Sequence, residues 1–143
     1  MKLRHISLTA KDADRLSAFY RSVFGCHDIR PPMMLSGDRV SKGNGLPNAQ
    51  IYAIWLAFPS AADPFLEILQ YTQTENRPLP RVNEPGFGHI AFEVANLQET
   101  LTAILDNGGS LQGEITNFGT EASPYLIIYV RDPEGNILEL EQP

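Results

Sequence analysis

The chain has 143 residues, the length of one domain or of two half-size modules fused around a shared core, and its 43% hydrophobic and 20% charged content suits a folded protein and excludes disorder. A formal net charge of -6, with no lysine or arginine cluster, argues against nucleic acid as a partner. No apolar run is long enough to span a bilayer and "MKLRHISLTA" lacks the apolar stretch of a secretory signal, so the expectation is a cytoplasmic protein with no membrane partner.

From the N-terminus, "HISLT" (5–9) alternates as a strand, with Ile6 and Leu8 on one side and His5, Ser7 and Thr9 on the other. Leu16, Phe19, Tyr20 and Val23 then form the apolar stripe of a helix, with Asp12 as N-cap and Gly25 as C-cap. The lone Cys26 cannot form an internal disulfide and reads as a small core residue, and His27 has no pattern behind it. Residues 31–50, rich in proline, glycine and polar groups, read as an inserted loop. "IYAIWLAF" (51–58) is a buried strand, and "FLEILQ" (65–70) is a second in which Glu67 faces away from Leu66 and Ile68. Residues 72–86 read as a connection.

"HIAFEV" (89–94) is again a strand, opposing Ile90, Phe92 and Val94 to His89, Ala91 and Glu93. A helix follows with Leu97, Leu101, Ile104 and Leu105 as its stripe, Asn96 and Glu99 as a capping box, and Gly109 as C-cap. "YLIIYV" (125–130), the turn "DPEG" (132–135) and "ILELEQ" (137–142) close the chain, with Glu139 facing away from Leu138 and Leu140.

The second set of elements repeats the first. "HISLTAKDADRLSAFYRSVFG" lies over "HIAFEVANLQETLTAILDNGG" without a gap, and "FLEILQ" over "ILELEQ" pairs Glu67 with Glu139 and Gln70 with Gln142. The expected organisation is a first module over 1–71 carrying the insert 31–50, a linker over 72–86 and a second module over 87–143, together one domain.

A carboxylate in the middle of an apolar strand is costly to bury unless its charge is compensated. Taken singly, each histidine also fits a hydrogen-bonded strand residue and each glutamate a solvated one. The repeat, however, fills both pairs of equivalent positions with ligand types. If a pseudo-twofold axis relates the halves, His5, Glu67, His89 and Glu139 form a two-nitrogen, two-oxygen set for one divalent cation. Without a thiolate the candidates are Zn, Ni, Co, Fe or Mn, and a six-coordinate ion leaves positions open for a substrate. Tyr52, Trp55 and Tyr125 are candidates to line a pocket or to fill core. Arg30, Arg39, Lys42, Arg77 and Arg81 sit where an anionic substrate could meet them, or where loop charges are simply solvated.

"HISLTAKDADRLSAFYRSVFG", "GFGHIAFEV" and "DPEGNILELEQ", in this order and spacing, resemble the vicinal oxygen chelate superfamily, which includes glyoxalase I, methylmalonyl-CoA epimerase, extradiol dioxygenases and bleomycin and fosfomycin resistance proteins. The resemblance implies an α+β fold of two βαβββ modules making a cupped mixed β-sheet, a homodimer, and His5, Glu67, His89 and Glu139 as metal ligands. It also implies a lyase or isomerase acting on a small substrate, in which Glu67 or Glu139 moves a proton next to a metal-chelated carbonyl. Fe(II) extradiol dioxygenases of the superfamily typically use only two histidines and one glutamate, and bleomycin-resistance members bind ligands without metal; these are the competing expectations. Thr9 stands where bacterial glyoxalase I carries an arginine that helps hold glutathione, so the resemblance does not extend to that co-substrate.

Overall fold

In the computed structural model, which describes residues 1–143 apart from the side chains of residues 61 and 62, the chain divides into two compact units, Met1–Asn76 and Arg77–Pro143. The first runs β1 (His5–Thr9), α1 (Ala13–Phe24), β2 (His27–Asp28), β3 (Met33–Ser36), α2 (Asp38–Asn44), β4 (Gln50–Phe58) and β5 (Ala61–Tyr71). Its sheet has the order β1-β5-β4-β2, with β3 sharing the edge beside β4; β1 is parallel to β5 and the other pairs are antiparallel. The second runs β6 (Ile90–Glu93), α3 (Leu97–Asp106), β7 (Ser110–Leu111), β8 (Thr116–Asn117), β9 (Leu126–Arg131) and β10 (Ile137–Gln142). Its order is β6-β10-β9-β7 with β8 beside β9, again with one parallel pair, β6 and β10. Both units follow a βαβββ plan in which the strand after the first helix is split into two short pieces on one edge, β2 and β3 beside β4 and β7 and β8 beside β9, with α2 added in the first unit, and the class is α+β.

Each sheet has a helix-covered face and a second face, and the alternation of the strands decides which residue goes where. In the first unit Leu16, Phe19 and Tyr20 of α1 are buried, as are Ile54, Leu56, Leu66 and Ile68 of the strands on which α1 packs. Burial of side chains of this size stabilises by about 1.5–3 kcal/mol each. In the second, α3 buries Leu97, Leu101 and Ile104 and packs on β10, whose Leu138 and Leu140 are buried. The opposite faces carry His5, Ser7, Glu67 and Trp55 in one unit and His89, Ala91, Glu139 and Tyr129 in the other, as the strand registers require.

The helices start where capping chemistry allows. Asp12 accepts from the Arg15 amide at 2.9 Å and Asn96 from the Glu99 amide at 3.1 Å. The repeated glutamines give the first-turn amides a further acceptor: Gln70 Oε1 takes the Ala13 N–H at 2.9 Å and Gln142 Oε1 takes the Leu97 N–H at 2.7 Å.

Three local expectations are corrected. Residues 31–50 are not a plain loop: Met33–Ser36 pair with β4, and α2 runs between Gly37 and Gly45, the latter at φ 78° as a left-handed C-cap. The apolar "MML" supplies strand character that the proline and glycine content obscured. Gly109 does not cap α3; the helix ends at Asp106, and Gly108 takes the positive φ of 84°. Gly109 is needed for closeness instead, since a Cβ there would lie 2.6 Å from both the Arg131 carbonyl oxygen and Ile104 Cγ2. Leu105 leaves the stripe and is half exposed, because only Leu97, Leu101 and Ile104 face the sheet.

Among the described residues, no helix is long and apolar enough to cross a membrane.

Candidate metal centre

His5 opens β1 and Glu67 lies on β5, its parallel neighbour; the register sets His5 against Phe65 and Ser7 against Glu67. The imidazole packs on the Phe65 ring with centroids 5.1 Å apart, and its Nε2 lies 3.6 Å from Glu67 Oε2. Trp55, directly across β4 from Glu67, donates its Nε1–H to Glu67 Oε1 at 2.9 Å. One carboxylate oxygen is thus held by an indole, while the other turns toward the histidine.

The second unit builds the same arrangement from different residues. His89 precedes β6, and its Nε2 lies 2.7 Å from Glu139 Oε2 on β10. Tyr129, directly across β9 from Glu139, donates its hydroxyl to the same Oε2 at 3.1 Å. The His89 ring meets the Tyr129 ring edge-to-face at 5.2 Å. Burial first, then the hydrogen bond to Glu139, pushes the Tyr129 hydroxyl above the usual tyrosine pKa, so it stays protonated and remains a donor at neutral pH.

Both glutamate side chains are mostly covered, at 17% and 12% exposure, whereas the histidines keep 43% and 38%. The carboxylates are therefore largely out of water; each accepts from an aromatic donor and faces a histidine, within hydrogen-bonding distance at Glu139 and at 3.6 Å at Glu67. An imidazole nitrogen beside a carboxylate oxygen, with a neighbouring N–H or O–H fixing the carboxylate, is donor chemistry of the type first-row divalent cations take, and each pair supplies two such side chains. The structure brings His5 to Glu67 and His89 to Glu139. Among the described residues, no group of three or more His, Cys, Asp or Glu side chains is set to hold a metal ion.

Of the aromatic candidates, Trp55 and Tyr125 lie on the glutamate-bearing faces. Tyr125 donates its hydroxyl to Glu141, which raises its pKa, followed by burial. Tyr52 projects from the other face of β4, where its hydroxyl donates to Asp14 of α1 at 3.0 Å, so it braces the helix. Trp55 and Tyr129 as donors to the glutamates were not foreseen. The signal was available: counting back from the turn 132–135 sets Tyr129 opposite Glu139. His27 is exposed in β2, where it pairs with Ala57 at the sheet edge.

A family model, Glyoxalase/Bleomycin resistance protein/Dioxygenase superfamily, matches residues 2–140. Human mitochondrial methylmalonyl-CoA epimerase is 21% identical over 141 residues, which span 99% of this chain and 73% of that protein. Two solved structures are similar in fold. A glyoxalase family protein from Bacillus cereus has a TM-score of 0.88 at 16% identity, covering 99% of this chain and 93% of that one. The fosfomycin resistance protein FosX from Listeria monocytogenes, complexed with Mn(II) and sulfate, has a TM-score of 0.58 at 20% identity, covering 99% and 91%.

Proposed function

The chain belongs to the glyoxalase/bleomycin resistance protein/dioxygenase superfamily, and from that premise we propose that it is a divalent-metal-dependent lyase or isomerase that moves a proton next to the carbonyl of a small substrate. The observation that carries the reading is the doubled pair. Each module sets one imidazole and one carboxylate side by side on one sheet face, with the strand neighbour of each glutamate, Trp55 or Tyr129, donating to its carboxylate.

In this reading His5, Glu67, His89 and Glu139 hold one ion of the Zn, Ni, Co, Fe or Mn class. Once bound, it supplies a Lewis acid that polarises the substrate carbonyl and offsets the negative charge developing beside it. The chain's own contribution is to hold donors and to move the proton. We assign the proton transfer to Glu67. Its Oε1 is fixed by the Trp55 indole, and its Oε2, 3.6 Å from His5, lies beyond ordinary hydrogen-bonding distance of that imidazole, so in this reading it is the atom that takes the proton. Glu139 Oε2 is engaged by both His89 and Tyr129 and serves to hold and orient. The reading includes a cytoplasmic homodimer; the exposed Met33, Met34 and Phe118 offer apolar surface for a second copy, and the mass in solution tests it.

The decisive experiment combines elemental analysis of protein purified without chelator with deuterium exchange at the carbon beside the carbonyl. The substrates are hemithioacetals and acyl-CoA thioesters, with catechols as a control under nitrogen and air. We expect stoichiometric metal, lost with activity in His5→Ala and Glu139→Ala, and Glu67→Gln that keeps metal but stops exchange. Oxygen uptake with a catechol, together with a Glu67→Ala that still turns over, would instead select the dioxygenase. A protein free of transition metal would select a ligand-binding role.

A further inference from the structure

Arg30 is held on the face of the indole that bonds Glu67. The chain is tied to β4 on both sides of it: Asp28 pairs with Leu56, the Ile29 amide donates to the Trp55 carbonyl at 3.0 Å, and Met33 pairs with Ala53. Pro31 and Pro32 follow, so Arg30 is biased toward extended backbone and the segment after it is stiff. Its guanidinium carbon then lies 3.6 Å from the centroid of the Trp55 ring, the distance of a stacked cation–π contact. The same indole donates from its edge to Glu67. One rigid, buried side chain thus sets the spacing between a carboxylate assigned to proton transfer and a cation.

The N–H groups of that cation are not consumed. Arg4 pairs with Asp63, Arg21 with Asp28 and Ser17, and Arg131 with Gln112 and two carbonyl groups. Among the described residues no acceptor takes the Arg30 donors, and the guanidinium lies over the Trp55 ring. A guanidinium held by its face keeps its planar fork of donors for an oxyanion, and stacking removes part of the rotamer freedom that binding would otherwise cost. Charge distribution favours the same side. Residues 1–76 hold eight basic and seven acidic side chains, whereas residues 77–143 hold three and ten, so the second unit repels an anion and the first does not.

We propose that Arg30, stacked on Trp55, is the anchor for an oxyanionic group of the substrate, a carboxylate or a phosphoryl, and so selects acidic carbonyl compounds over neutral ones. This deepens the proton-transfer reading and rests on it for the word substrate, but the anion site itself can be tested without turnover.

Trp55 is the only tryptophan, so its fluorescence reports directly on the stacked pair. The wild-type protein, Arg30→Gln and Arg30→Lys are titrated with propionate, with inorganic phosphate and with neutral propionamide. We expect a saturable change with at least one anion and none with propionamide. Its midpoint should rise about 10- to 100-fold in Arg30→Gln and by less in Arg30→Lys, which keeps the charge but not the fork. The anion with the lower midpoint identifies the carboxylate or phosphoryl class. Equal midpoints in wild type and Arg30→Gln, or no anion response in the wild type, overturn the anchor. Metal content of the same samples separates the two readings. A metal-free wild type with an Arg30-dependent anion response sinks the metal proposal and leaves the anchor standing. An Arg30→Gln protein with full metal content and an unchanged anion midpoint does the reverse.

Discussion

The carboxylates of Glu67 and Glu139 are defined as much by their donors as by their strands. If the two pairs bind metal, removing the neighbouring donor frees the carboxylate to rotate, and such supporting hydrogen bonds typically matter 10- to 100-fold in affinity. Trp55→Phe and Tyr129→Phe are therefore expected to weaken metal binding by about 10- to 100-fold each, measured by competition with a chromophoric chelator. Cys26 gives a prediction independent of metal. Burial, opposed only in part by Arg21, pushes its thiol up to about 11. An unfolded chain gives up this proton near pH 8.5–9, so the native state is the better proton binder above that. Stability from this group is present below about pH 9 and falls as pH rises toward 11, by on the order of 2–3 kcal/mol. Denaturant unfolding across that range should show a steeper loss in wild type than in Cys26→Ala. At this scale the sequence revealed the ligand types, because histidine and glutamate recur at equivalent places. It hid their donors, because a tryptophan in one copy and a tyrosine in the other share only the hydrogen they offer.

Strands and helices were largely legible because their periodicity is set by burial on one face, and the repeat checked each copy against the other. The insert was not legible: its proline and glycine content masked β3 and α2, whose edge position needs little apolar surface. Two glycines separate closeness from helix propensity. Gly109→Ala drives a Cβ to 2.6 Å from the Arg131 carbonyl oxygen and from Ile104 Cγ2, and the backbone partner cannot swing away. A loss of about 1–3 kcal/mol or more is expected. Gly43→Ala, inside α2 with nothing within 4 Å, should instead stabilise by about 0.5–1 kcal/mol. Thermal unfolding checks both, with opposite signs. The repeated glutamines belong here too. Gln70→Ala and Gln142→Ala each strand the amide of a buried helix-start residue, Ala13 or Leu97, and are expected to cost about 1–3 kcal/mol each in the same assay.

At the scale of the whole chain the question is whether two copies make one site or two. Ligand that binds only the folded state stabilises by about 2.7 kcal/mol at one hundred times its dissociation constant, so saturating metal should raise the melting temperature measurably. If His5, Glu67, His89 and Glu139 serve one ion, His5→Ala and His89→Ala each remove most of that shift, and the double variant removes little more, because each single change already breaks the shared coordination. If each module binds on its own, the single losses are partial and add. The acidic second unit sharpens the comparison, since its ten carboxylates against three basic residues attract a cation without specific coordination. Such attraction is screened at high salt, whereas ligation by imidazole and a largely covered carboxylate is not. We therefore expect the non-additive pattern to persist at 0.5 M salt, read as melting shifts of the four proteins with and without metal. Additive losses that shrink with salt would leave two separate, weak cation pairs in place of a centre.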